Sequence, residues 1–199
     1  MPAPTVYYIR HGETEWNAEG KLQGGQDIPL NDLGRRQAAD AGGILADLFA
    51  RDGRSEQSLA FVASPLGRAR ATMELVRGAL RLPAGGYAID DRLREIGYGD
   101  WEGSTLAQMQ AADPDVFAAR QAEKWTVPPP GGESYAAVQA RVLDWYDQLT
   151  ADTVAVAHGG TARALMVALG IETPDSAADL TIEQGAVYVF GDSGLEKYC

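Results

Sequence analysis

The chain is short of the residues that bind metals and form disulfides. It has two histidines, His11 and His158, and one cysteine, Cys199, the last of its 199 residues. An internal disulfide is excluded, and so is a cysteine-based metal site. No apolar run approaches the roughly 20 residues that span a bilayer. The opening Met1-Pro2-Ala3-Pro4 lacks a basic segment followed by an apolar one, so no signal peptide is expected and the expected location is cytoplasmic. Basic residues are outnumbered, 17 against 28 acidic, for a net charge of -11. Such a surface repels nucleic acid and anionic membrane, and neither is an expected partner. It also repels small anions, so any anion site must gather arginines locally. The phosphate-binding G-x-x-x-x-G-K-[ST] and dinucleotide-binding G-x-G-x-x-G patterns are absent. H-E-x-x-H is absent too, and no metal or other cofactor is expected.

What is present is an alternation of short apolar runs and helical patterns, which predicts an α/β fold with a mostly parallel central sheet. Strands are expected at Val6–Ile9, Leu59–Ala63, Tyr87–Ile89, Val154–Ala157 and Ala186–Phe190. A helix is expected over 33–49 behind Asn31, its Gly42-Gly43 pair explained by close packing on the sheet. Another should open at Ser64-Pro65, with Ser as N-cap and Pro at the first helical position. A third begins near Ser134 and carries Val138, Val142, Trp145 and Leu149 on one face, and a fourth covers 161–169. Segment 103–133 breaks the rhythm. It reads as a small insertion over one edge of the sheet, within a single domain covering 1–199.

One local grammar recurs three times. A buried strand ends and a polar residue follows: Arg10-His11-Gly12, then Ser64 with Arg68, then His158-Gly159-Gly160. In open α/β sheets the carboxyl ends of the strands lie along one edge, where ligands bind. Both histidines, Arg10 and Arg68 should therefore converge. Two fixed guanidiniums and two helix N-termini suit phosphate or sulfate. A neutral imidazole is a competent nucleophile toward phosphorus, and arginines can neutralise the phosphoryl oxygens. One histidine would attack while the other donates to a phosphoryl oxygen. The leaving oxygen still needs a proton donor, and Glu95, Asp100 and Glu102 are all candidates in the turn after Leu93.

These residues resemble a known family. Arg10-His11-Gly12-Glu13-Thr14, followed by Asn17 and Gly24, resembles the signature of the histidine phosphatase superfamily, the phosphoglycerate mutase-like proteins. Asp27-Ile28-Pro29-Leu30, Ser64-Pro65-Leu66-Gly67-Arg68-Ala69, Leu93-Arg94-Glu95 and His158-Gly159 follow in the family's order. The resemblance implies a three-layer α/β/α sandwich and metal-independent chemistry through phosphohistidine. It implies His11 as nucleophile, Arg10, Arg68 and His158 as phosphoryl binders, and Glu95 as proton donor. Asn17, Thr14, Gln23, Gly24 and Gly159 would line the pocket, with Gln23 departing from the small hydroxyl residue of the mutase branch. The expected activity is hydrolysis of small phosphorylated metabolites. The alternatives are a cofactor-dependent phosphoglycerate mutase and an inactive phosphate-binding or regulatory module. Mutases of the family carry a lysine where Leu106 stands and an arginine pair in the insertion. The insertion here holds only the separated Arg120 and Lys124, which favours a phosphatase acting on esters with a neutral or apolar organic part.

Overall fold

Alternation along the first strand divides the protein into two cores. In β1 (Val6–Arg10) the side chains of Val6 and Tyr8 enter one core, and those of Tyr7 and Ile9 the other. The computed structural model describes residues 3–199, so Met1 and Pro2, at the head of the segment read as lacking a leader, lie outside the described residues. The remaining strands are β2 (Ala60–Ala63), β3 (Ala88–Ile89), β4 (Thr153–Ala157), β5 (Val187–Gly191) and β6 (Gly194–Tyr198). They form one sheet in the order β3-β2-β4-β1-β5-β6. The pairs β3-β2, β2-β4 and β4-β1 are parallel, while β5 and β6 join antiparallel. Chain reversals between sequential parallel strands are made by helices, which is why helices cover both faces. Strand β6 was not expected. Gly194-Leu-Glu-Lys-Tyr is an edge strand with exposed charges, and it reads as a polar tail.

On one face lie α2 (Asp32–Asp52) and α3 (Gly67–Ala79), burying Leu45, Phe49, Met73 and Val76 against Ile9, Val154 and Val156. On the other lie α6 (Tyr135–Asp147) and α7 (Gly159–Ala168), burying Val142, Trp145, Leu165 and Met166 against Tyr8 and Ala155. These are the three layers expected. Short helices α1 (Glu15–Ala18), α4 (Leu106–Ala112), α5 (Pro114–Ala122) and α8 (Pro174–Ala178) complete the connections. Among the described residues, no helix is long and apolar enough to cross a membrane.

Three local expectations need correction. Helix α3 starts at Gly67, later than expected, and Ser64 does not cap it. Its first free amides, on Gly67 and Arg68, donate instead to the carboxylate of Asp27, at 2.8 and 3.3 Å. Helix α7 starts at Gly159, immediately after His158, and not at Thr161. The glycine pair serves a helix neighbour and not the sheet. A Cβ on Gly42 would lie 2.6 Å from the Cβ of Ala79 and 2.9 Å from the carbonyl oxygen of Val76, whereas Gly43 faces open space.

The 103–133 segment contains α4 and α5. It is stitched to Leu22, on the wall of the cavity at the strand ends. The Leu22 amide donates to the Ser104 carbonyl at 3.1 Å, and that of Gly103 to the Leu22 carbonyl at 2.8 Å.

The glycine pair gives an internal control on packing. Gly43→Ala should stabilise the protein by about 1 kcal/mol through helix propensity alone. Gly42→Ala should destabilise it by about 1–3 kcal/mol through overpacking of α2 on α3. Urea midpoints measured on both variants check the ordering, and the reverse order would refute the packing account.

Candidate active site

The carboxyl ends of β1, β2 and β4 are adjacent in the sheet, so the residues just beyond them meet. The His11 amide donates to the Ala157 carbonyl and the Ser64 amide to that of Val156, both at 2.9 Å. The imidazole rings of His11 and His158 stand 5.1 Å apart, centre to centre. Both histidines are buried.

The partners of His11 set its tautomer. Its Nδ1 lies 2.8 Å from the Gly12 carbonyl oxygen, which can only accept, so Nδ1 carries the hydrogen. Nε2 keeps a lone pair and receives a 3.3 Å hydrogen bond from Nε of Arg68. Burial, then the nearby Arg68 and Arg10 guanidiniums, hold His11 well below the ordinary imidazole range. The result is a neutral ring whose Nε2 lone pair accepts from Arg68, and a neutral imidazole is the form that attack on phosphorus requires. Burial, with Arg68, His11 and Arg10, lowers His158 in the same way.

Arg68 is 1% exposed. Its Nη2 donates to the Gly24 carbonyl at 2.9 Å and its Nη1 to that of Gln26, so one side chain ties α3, His11 and the 24–26 loop together. Arg10 donates through Nη1 to the Ile182 carbonyl at 2.7 Å. Nε of Arg10, Nδ1 of His158 and Oε1 of Gln23 are buried without a partner in the protein. Buried polar atoms seldom remain unpaired, and a cluster of them at one place marks a spot built for a ligand.

Glu95 is placed by backbone. Its Oε1 accepts from the amides of Ile96 and Gly160, each at 3.0 Å, which leaves Oε2 free. Arg141 of α6 fastens the turn that carries Glu95, donating to the carbonyls of Arg92, Arg94 and Glu95 at 2.6, 2.7 and 3.3 Å. The rival carboxylates are accounted for elsewhere. Glu102 accepts from the amides of Gly25 and Tyr98, at 2.9 and 3.2 Å, and from the Gln26 side chain. It is a brace for the loop that Arg68 also grips. Asp100 is exposed.

A cavity of about 140 Å³ is enclosed by Arg10, His11, Asn17, Lys21, Leu22, Gln23, Gly24, Arg68, Glu95, Tyr98, Gly159 and Arg163. Four cationic side chains face one carboxylate there, against the charge of the protein as a whole. A larger groove of about 660 Å³ lies on the far side of Arg68, but its polar side chains are already paired. Asp27 caps α3, Arg35 holds the Leu30 carbonyl, and Glu74 accepts from the Tyr87 hydroxyl. Among the described residues, no three His, Cys, Asp or Glu side chains are grouped to hold a metal ion.

The model of the histidine phosphatase superfamily, branch 1, matches residues 6–194. The chain belongs to that superfamily. The chain is 37% identical over 182 residues to a glucosyl-3-phosphoglycerate phosphatase of Mycolicibacterium vanbaalenii, covering 85% of this chain and 75% of that one. It is 32% identical over 201 residues to a 2,3-bisphosphoglycerate-dependent phosphoglycerate mutase of Methylocella silvestris, with 95% and 94% covered. A mycobacterial glucosyl-3-phosphoglycerate phosphatase solved with VO3 superposes with a TM-score of 0.80 at 31% identity, over 98% of each chain.

Of the residues singled out in the sequence, Arg10, His11, Asn17, Gln23, Gly24, Arg68, Glu95 and Gly159 line this cavity of the histidine phosphatase, and His158 stands buried behind it. Thr14 does not. It is fully buried as the N-cap of α1, its hydroxyl accepting from the Asn17 amide at 3.2 Å. Asn17 Oδ1 is occupied by Thr14 and by Gln184 Nε2, at 3.0 Å from the latter, which leaves its Nδ2 for the cavity. Lys21, Tyr98 and Arg163 were missed. Arg163 carried a usable signal, because it falls one helical turn after Gly159 on the same face of α7.

Two predictions follow from the geometry. A Cβ on Gly160 would lie 2.4 Å from Glu95 Oε1 and 2.7 Å from Cγ2 of Ile96. Gly160→Ala should displace Glu95 and lower turnover by about 10²-fold or more, the scale of general acid–base catalysis. Circular dichroism should report a native fold, and full activity in that variant would contradict the placement of Glu95. The second concerns pH. Above the unfolded imidazole value of about 6.5, both histidines are neutral in the folded and the unfolded chain. Below it, the unfolded chain takes up protons that the folded chain refuses, so stability falls with acidification. Urea titrations should show a slope approaching about 2.7 kcal/mol per pH unit for two histidines between roughly pH 6.5 and pH 5, halved in His158→Gln. A flat profile there would show that the two rings are not held neutral.

Proposed function

We propose that the protein is a phosphomonoesterase that hydrolyses small phosphorylated metabolites through a phosphohistidine on His11. The observation that carries this reading is His11 on the wall of a cavity lined by arginines, its Nε2 left unprotonated and accepting from Arg68, with a carboxyl group that has one free oxygen on the same wall. Nε2 attacks phosphorus. The bond to the leaving oxygen breaks, and that oxygen takes a proton from Oε2 of Glu95, which enters the step as the carboxylic acid and leaves it as the carboxylate. Water then attacks the phosphohistidine, giving its proton back to Glu95 and releasing inorganic phosphate. Arg10, Arg68, His158 and Asn17 hold the phosphoryl oxygens as charge shifts among them.

The cavity also suggests the substrate class. Arg10 and Arg68 suffice for one phosphoryl group. Lys21, which pairs with Glu19 at 2.6 Å, and Arg163, whose Nη2 has no hydrogen bond to the protein while Nε and Nη1 reach Leu180 and Tyr135, remain on the wall, and the nearby Arg120 keeps Nε and Nη2 buried and unpartnered beside the Tyr98 ring. Cations in this number suit an ester whose organic part is itself acidic, such as a phosphorylated hydroxy acid. This replaces the neutral organic part expected from the insertion alone. The substrate named for the relatives, glucosyl-3-phosphoglycerate, is of that acidic class.

Hydrolysis is favoured over mutase action by the insertion. Leu106 is 55% exposed at the start of α4, and the Lys124 ammonium is engaged by Asp179. Neither of these two positions of the insertion supplies the cation that the mutase branch carries there to retain a doubly phosphorylated intermediate.

A panel of phosphomonoesters tests the reading. Phosphate release from an aryl phosphate and from glucosyl-3-phosphoglycerate should exceed interconversion of 3- and 2-phosphoglycerate. Mutase turnover with negligible hydrolysis would reverse the assignment. His11→Ala should abolish turnover and the acid-labile phosphate trapped on the native protein. Glu95→Gln should slow alkyl phosphates by about 10²–10⁴-fold and aryl phosphates less in the phosphorylation step. Arg163→Gln should raise KM about 10–100-fold for the acidic ester, the loss of one charged hydrogen bond, and leave the aryl phosphate nearly unchanged.

A further inference from the structure

Ser64 is the first residue beyond β2, and His158 the first beyond β4, on the neighbouring strand. The Oγ of Ser64 lies 2.7 Å from Nε2 of His158, and both residues are fully buried. The hydroxyl is free for this contact because Asp27 caps α3 in its place and Pro65 has no amide to compete. The Leu66 amide approaches the same oxygen at 3.4 Å, occupying one lone pair.

We propose that Ser64 is a positioning residue, whose hydroxyl donates to Nε2 of His158 and so fixes the ring as the tautomer that carries its hydrogen on Nδ1. Two arrangements are open to a neutral His158. If Nε2 held the hydrogen and gave it to Ser64, Nδ1 would present a lone pair, which repels a phosphoryl oxygen. If Ser64 donates, Nδ1 is the donor, and Nδ1 is the buried atom left without a protein partner. Only the second arrangement gives His158 a use in an anion site lined by Arg10 and Arg68. The surrounding cations disfavour a doubly protonated ring, so the second hydrogen cannot come from solution and the choice of tautomer falls to the serine. The backbone amide of His158 is pinned separately, by the Tyr8 hydroxyl and by Thr161 Oγ1, each at 3.1 Å. The serine therefore controls the ring and not the chain.

This inference rests on the phosphatase reading for its consequence, but its chemistry is read independently. The protein has only two histidines, so nitrogen-15 imidazole spectra assign themselves once His11→Asn is recorded beside the native chain. The native protein should show His158 as the Nδ1–H tautomer. Ser64→Ala should show a mixture or the Nε2–H form, and kcat/KM should fall about 10–100-fold, one buried hydrogen bond to a group that contacts charge. Ser64→Thr, which keeps the hydroxyl, should restore the tautomer and most of the activity. An Nε2–H ring in the native protein overturns the proposal even if the threonine variant fails to fold. So does an unchanged Nδ1–H ring in Ser64→Ala. Absence of turnover on every phosphomonoester in the native protein would sink the phosphatase reading and leave the tautomer answer standing on its own.

Discussion

Two buried guanidiniums packed against two buried imidazoles set the terms for everything around the cavity. Taking Arg10 and Arg68 out of water is costly unless their donors are matched, and three of their nitrogens donate to backbone carbonyls at Ile182, Gly24 and Gln26. Carbonyls satisfy the hydrogen-bonding demand but leave the charge unneutralised. Burial holds both imidazoles well below their ordinary range and that residual charge pushes the same way, while it also draws in an anion that the surface of the protein would repel. The guanidiniums thus serve both the neutral nucleophile and the binding of the anion.

The acidic side chains near the site hold it together without cancelling that charge. Asp27 grips the start of α3, Glu102 the 24–26 loop, and Glu133 the Gly97 amide and Arg141. Each carboxylate is aimed at amide hydrogens behind the cavity wall. Glu95 alone lines the cavity, and half of it is tied back to the amide of Gly160. An excess of acid in the sequence therefore coexists with a cationic cleft because the carboxylates close to it face outward into the frame.

How much of this could be read from the sequence depended on distance along the chain. Strand ends followed by Arg-His-Gly and His-Gly-Gly are local patterns, and they pointed to Arg10, His11 and His158, which the fold brings together beyond β1 and β4. Ser64 was misread because Ser-Pro is a local helix-opening pattern, while the true cap, Asp27, stands 40 residues earlier. Thr14 was assigned to the pocket with its neighbours, but its capping of α1 turns the hydroxyl inward. The bracing role of Glu102 is invisible from its neighbours, since its partner Gly25 lies 77 positions away. Arg163 was legible only through its spacing of one helical turn from Gly159, since a helix interior has no strand-end break to mark it.

The connection between α8 and β5 has a consequence for how the protein is made. Its backbone carbonyls at Leu180 and Ile182 hold Arg163 and Arg10, and its Gln184 side chain orients Asn17. The Arg10 contact closes a loop of 172 residues, one of the most distant pairings in the chain. Contacts of such separation form late, because the entropy of closing the intervening loop is paid before they return anything. A chain emerging from the ribosome has both histidines' strands and most of its core before this stretch is available. Arg10 is therefore aimed at the reactive nitrogen only once this stretch has docked on the folded core, and activity becomes a report on completed assembly.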